Sequence, residues 1–174
     1  MKKYYLLFAL SVFAINAFGQ GSNASQMDPF CAGGSTLTFP SATGTAITPG
    51  DAQGYGCLSS QPNPAWFYMQ VGTSGNLVFN LQQVNTNGVP IDVDFITWGP
   101  FPGPPPISGP TNLNAGSQVD CSYSASAVEQ IDIPGAQSGQ YYVVLITNFN
   151  GSAGQISLTQ TNINQPGAGT TSCA

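Results

Sequence analysis

Asp92-Val93-Asp94 is the arrangement with the clearest chemical potential in this 174-residue chain. In an extended segment alternate side chains leave the same face, so both carboxylates project together, about 6.6–7 Å apart along the backbone. Like charges so placed repel one another. A calcium ion, which takes roughly six to eight oxygen ligands, would relieve them. Asp51, Asp120 and the amide oxygens of Asn148 or Asn150 complete a candidate calcium shell. The competing reading has these aspartates facing water or accepting backbone N–H bonds at a sheet edge. Paired carboxylates also serve glycoside hydrolysis, where an acid and a nucleophile or base flank the scissile bond. Asp92 with Asp94, or Glu129 with Asp132, can be written into that scheme.

What is missing bounds the chemistry more tightly. The chain has no histidine, and its two basic residues are Lys2 and Lys3. Beyond them no imidazole or lysine can activate a serine or cysteine, which excludes the nucleophilic triads. No cationic clamp exists for phosphoryl transfer. Nucleic acid and anionic lipid surfaces are disfavoured, because affinity for both rests on Lys and Arg. The expectation is a protein that is not an enzyme.

Aromatic side chains are the remaining recognition candidates. Trp66-Phe67-Tyr68 and Trp98-Gly99-Pro100-Phe101 offer Trp66, Tyr68, Trp98 and Phe101 to stack on sugar rings or anchor a protein partner. Packing is the bland alternative, since alternation puts Trp66 and Tyr68 on one face and Phe67 on the other. Asn23-Ala24-Ser25 and Asn150-Gly151-Ser152 match the N-glycosylation acceptor pattern, which bears only on a eukaryotic secretory route.

The elements that must hold these residues read as short strands. Candidates are Thr36–Phe39, Ala65–Val71, Asn76–Gln82, Ile91–Trp98, Val128–Ile133, Gln140–Thr147 and Gln155–Gln160, separated by Gly, Pro, Ser and Asn. In Asn76–Gln82, Leu77, Phe79 and Leu81 share one face, whereas Tyr141–Ile146 is apolar throughout and reads as a central strand covered on both sides. About seven such strands predict an all-β, antiparallel sandwich or jelly roll. The Pro-rich stretch from Gly99 to Gly116 reads as a stiff crossover or a display loop.

Residues 1–19 have a basic head, an apolar run from Tyr4 to about Ile15 and a small-residue exit at Ala17-Phe18-Gly19, the layout of a secretory signal peptide. The expected organisation is that signal, a short polar segment over residues 20–30, and a single sandwich domain over residues 31–174. Four cysteines in an exported chain point to two disulfides. Zinc is improbable without histidine or closely spaced cysteines. Three pairings are open. We favour Cys31 with Cys57 and Cys121 with Cys173, the second tying the C-terminal end back onto the domain.

Several ordered motifs add a family resemblance. They are Asp28-Pro29-Phe30-Cys31, Tyr55-Gly56-Cys57-Leu58, Gln61 to Gln70, and Asp92 to Phe101. Val119-Asp120-Cys121-Ser122-Tyr123-Ser124, Gly139 to Phe149 and Gly167-Ala168-Gly169 follow. The series resembles the repeated sandwich module of Bacteroidota surface and secreted proteins, including gliding-motility-associated adhesins. That module is distantly similar to the pre-peptidase C-terminal domain. The resemblance implies a jelly-roll-like fold, calcium and extracellular polymers. It also implies an extra cysteine pair that this chain lacks at Thr97 and in the Pro-rich loop, which agrees with the favoured pairing of the other four.

The reading is therefore a secreted or cell-surface, non-catalytic adhesion or polymer-binding module with calcium as an optional structural ion. Its partners would be an extracellular polysaccharide or protein surface, with no nucleic acid and no membrane insertion. Alternatives are a self-assembling subunit of a filament or surface layer, in which residues 20–30 supply a strand to a neighbouring copy, and a small carbohydrate-active enzyme.

Overall fold

A computed structural model describes residues 21–44, 51–104 and 112–173; the signal segment expected over residues 1–19 lies outside them. Among the described residues the regular structure is ten strands and no helix. In chain order these are β1 (Asp28–Pro29), β2 (Leu37–Pro40), β3 (Pro64–Thr73), β4 (Gly75–Asn85) and β5 (Val93–Phe101). There follow β6 (Gln118–Ser122), β7 (Val128–Ala136), β8 (Tyr141–Asn148), β9 (Gly154–Gln160) and β10 (Thr170–Thr171). One sheet runs β1-β3-β8-β5-β6 with β10 also on β3, and the other runs β2-β9-β4-β7. All seven expected strands are present. β1, β6 and β10 are additional.

The sandwich follows from alternation. Leu77, Phe79 and Leu81 on β4, and Ile131 and Ile133 on β7, point inward and are buried. From the facing sheet, Phe67, Met69, Phe95, Val144 and Ile146 meet them in one core. β8 is central, paired with β3 on one side and β5 on the other. Its alternate residues Val143 and Leu145 enter a second apolar cluster on the outer face of the larger sheet, with Trp66, Ile96, Trp98 and Leu113. The expectation that β8 is covered on both faces therefore holds. The cover comes from segments 21–27, 51–58 and 112–117, not from a third sheet.

The free edge of β3 is closed by the two ends of the described chain. Asp28 and Pro29 run parallel to Phe67 and Tyr68, while Thr170 and Thr171 run antiparallel to Thr73 and Val71. Met27 and Phe30 are buried, so residues 21–30 are an integral part of the larger sheet. At the corner where β3 passes into β4, a Cβ on Gly75 (φ +150°) would come within 2.4 Å of the Gly169 backbone nitrogen. That approach accounts for glycine at both places.

The same closure corrects the disulfide pairing. Cys31 follows β1 and Cys173 follows β10, so the two meet beside β3 with Cα atoms 5.3 Å apart and form one disulfide. Cys57 sits in the segment crossing the outer face and reaches edge strand β6, where it bonds Cys121 across a Cα distance of 6.0 Å. The expected pairs Cys31–Cys57 and Cys121–Cys173 would each have joined opposite edges of the larger sheet.

Candidate functional site

Three of the four aromatic recognition candidates are interior, in line with the packing alternative. The Trp66 and Trp98 rings stack at 5.8 Å with planes 8° apart. Both are fully buried and Phe101 is nearly so. As alternation predicted, Trp66 and Tyr68 share one face of β3 and Phe67 takes the other; Trp66 and Trp98 lie on the outer face of the larger sheet. The covering segments then closed that face, with Tyr55 packing edge-on against Trp98 at 6.3 Å. Burial, and next the Asp51 carboxylate, raise the Tyr55 hydroxyl above its ordinary pKa. Asp51 thus belongs to this covering layer.

Tyr68 is the exception. It leaves the same face two residues beyond Trp66, where the cover ends, and is half-buried. Its ring lies 6.4 Å from that of Tyr141, with planes 37° apart. The pair lines an open groove of about 350 Å³ with Pro29, Gln70, Pro104 and Ser172, floored at one side by the Cys31–Cys173 disulfide. Gln70 is opposite Tyr141 in the β3–β8 register, so its amide emerges on the groove side. The sequence offered little signal for Tyr141, because it opens an apolar run and reads as core. It escapes by standing at the end of β8.

The carboxylates expected to share a calcium shell are distributed over the molecule. Asp92 and Asp94 do come together, lining a cavity of about 160 Å³ with Tyr123, Ser124, Ala125 and Phe149. Asp94 is 1% exposed. Its Oδ1 accepts the Ser124 N–H at 3.1 Å. No hydrogen bond reaches its Oδ2 among the described residues. Burial first, then Asp92, push the Asp94 carboxyl up to about 7; Glu129 adds to the rise and the Ser124 N–H opposes it. Asp92 is raised as well, by burial and then by Glu129.

Asp120 is committed elsewhere. Its Oδ2 accepts the Asp132 N–H at 2.7 Å and its Oδ1 the Cys121 N–H at 2.8 Å, latching edge strand β6 to edge strand β7. The Asn148 amide bridges the two sheets: it accepts from the Gln83 side chain and donates to the Ala42 and Ser152 carbonyls. The Asn150 side chain accepts from the Ser152 hydroxyl. Among the described residues no group of three or more His, Cys, Asp or Glu side chains is placed to hold a metal ion. The four-aspartate shell is not formed, and a two-carboxylate cavity walled by rings is a poor match for a hard cation that wants six or more oxygens.

Glu129 and Asp132 are not a catalytic pair. Three positions apart on β7, they leave opposite faces. Glu129 accepts from the Ser124 hydroxyl and Asp132 from the Gln130 amide.

Fold and sites together define a disulfide-linked β-sandwich with an aromatic groove at one end of β8 and an acidic, ring-walled cavity at the other. No protein-family model matches the chain, and no curated protein shows significant similarity to it. Among solved structures it is similar to the pre-peptidase C-terminal domain of collagenase from Bacillus anthracis. There the identity is 10%, the TM-score 0.43, and the match covers 76% of this chain and 92% of that one. It is also similar to a periplasmic inhibitor of g-type lysozyme from Aeromonas hydrophila, with 13% identity, a TM-score of 0.37 and coverage of 76% and 91%.

Proposed function

We propose that this chain is an exported, non-catalytic binding module that recognises an extracellular polysaccharide through the Tyr68–Tyr141 groove. The paired rings carry this reading. Sugar rings present C–H faces that stack on aromatic surfaces, and their hydroxyls need neutral polar partners. Gln70 and Ser172 supply an amide and a hydroxyl at the same wall. Two disulfides support residence in an oxidising compartment. The absence of histidine, and of lysine and arginine after Lys3, supports binding over catalysis.

Retardation in native gels cast with soluble polysaccharides tests the proposal. The processed protein should be slowed by at least one glycan of a panel, and Tyr68→Ala with Tyr141→Ala should abolish the retardation while the variant still unfolds in one cooperative transition. Free migration of the wild type in every glycan, or retardation that survives both substitutions, would remove the polysaccharide reading.

A further inference from the structure

The cavity at the opposite end of β8 is not used by the groove, which lies about 23 Å away along the strand at about 3.3 Å per residue. Its base is acidic and its walls are aromatic. Tyr123 and Phe149 are 37% and 44% exposed, two of the few large apolar side chains left in solvent among the described residues. Their rings meet edge to face at 5.9 Å. The Tyr123 hydroxyl is fixed by the Ser60 hydroxyl at 3.1 Å, so this wall is held in place. At the base, Asp94 Oδ2 and Asp92 Oδ1 are buried oxygens that no hydrogen bond reaches among the described residues. Buried carboxylate oxygens normally have partners, and nothing in the chain after Lys3 carries a side-chain cation to provide one.

We propose that this cavity receives the cationic side chain of a basic protein or peptide, an arginine guanidinium in first place. A guanidinium donates to two carboxylate oxygens through its planar fork, and its faces accept aromatic rings. Tyr123 and Phe149 supply the rings, and Asp92 and Asp94 the acceptors. The few oxygens and apolar walls that suit calcium badly suit an organic cation well. With no Lys or Arg after Lys3, another copy of the processed form has no cationic side chain to offer the cavity.

Titrating the folded, disulfide-intact protein with Nα-acetyl-arginine amide, followed by the amide NMR signals of Ser124 and Ala125, tests this. Saturable shifts are expected, and Nα-acetyl-citrulline amide, equal in shape but neutral, should produce none. Asp94→Asn should weaken binding by about tenfold or more. Phe149→Ala, at an exposed site, should weaken it by about two- to fivefold. Thermal unfolding checks that both variants are folded. Should Asp94→Asn fail to fold, unchanged affinity in a Tyr123→Ala, Phe149→Ala double variant overturns the proposal. So do equal shifts from the citrulline compound, full affinity in folded Asp94→Asn, or calcium chloride saturating the same signals below the concentration of arginine amide required.

Discussion

The Gln83 side-chain amide donates to Asn148 Oδ1 at 2.6 Å, joining β4 of one sheet to the last residue of β8 in the other. Both side chains are fully buried. Asn148 also accepts the Gly151 N–H at 3.1 Å. Asn148→Ala would strand the buried Gln83 amide and remove the partner of the part-buried Ala42 and Ser152 carbonyls, at a cost of about 2–4 kcal/mol. The expected fall in thermal midpoint is about 2–4 °C per kcal/mol for a domain of this size. A midpoint within about 1 °C of wild type would show that this bridge contributes no measurable stability.

Trp66 and Tyr68, two residues apart on one face of β3, should respond to very different extents. Trp66→Ala opens a cavity beneath Trp98 and should cost about 3–5 kcal/mol. Tyr68→Ala removes a half-buried groove side chain and should cost about 1 kcal/mol or less. Denaturant titration of both variants measures the difference. Equal destabilisation would mean that Tyr68 belongs to the packed cluster.

Peptide mapping without reduction should recover Cys31 joined to Cys173 and Cys57 joined to Cys121. Trypsin is useless for this, since no Lys or Arg follows Lys3; chymotrypsin has ample sites. Closing loops with sequence separations of 142 and 64 residues, each disulfide should add about 4–5 kcal/mol in the chain-entropy view. A recovered Cys31–Cys57 peptide would refute this connectivity.

Acidity should affect this protein in an unusual direction. The Asp94 carboxyl has a native pKa of about 7 and an ordinary value near 3.9 when unfolded. Between these values the native state holds a proton that the unfolded chain has released. The stabilisation associated with Asp94 is therefore complete below about pH 4 and is lost as pH rises to about 7, above which it is flat. Asp92, shifted in the same direction, adds to the trend. The thermal midpoint should be lower at pH 8 than at pH 5, and Asp94→Asn should remove most of that slope while raising the midpoint at pH 8. A slope unchanged in the variant would place its origin elsewhere.

The strands were legible because their alternation survives in single residues such as Leu77, Phe79 and Leu81. β1 and β10 were not, because two residues carry no period and their pairing depends on the exposed edge of β3. β6 was missed for a related reason: Gln118-Val119-Asp120-Cys121-Ser122 is a half-buried edge with a polar majority. Of the site residues, Asp92 and Asp94 were placed on one face by period alone, and both line the same cavity. Whether Trp66 or Tyr68 reaches solvent depends on where segments 51–58 and 112–117 end, which no local pattern encodes. The cysteine partners were opaque for the same cause. Phe149, an aromatic set between Asn148 and Asn150 ahead of Gly151, was the one readable hint of an exposed ring.

The Cys31–Cys173 bond has a mechanical consequence. Tension applied at residue 21 and at residue 173 passes from the short leading segment straight across the sulfur bridge. The 142 residues of chain separation it encloses form a loop outside the line of force. Pulling can peel β1 from β3, and Pro29 with it from the groove wall, but it cannot draw out β4, β8 or the Asp92–Asp94 cavity until the bridge is reduced. Under flow or traction, the molecule behaves as a short tether with a sandwich hanging from it.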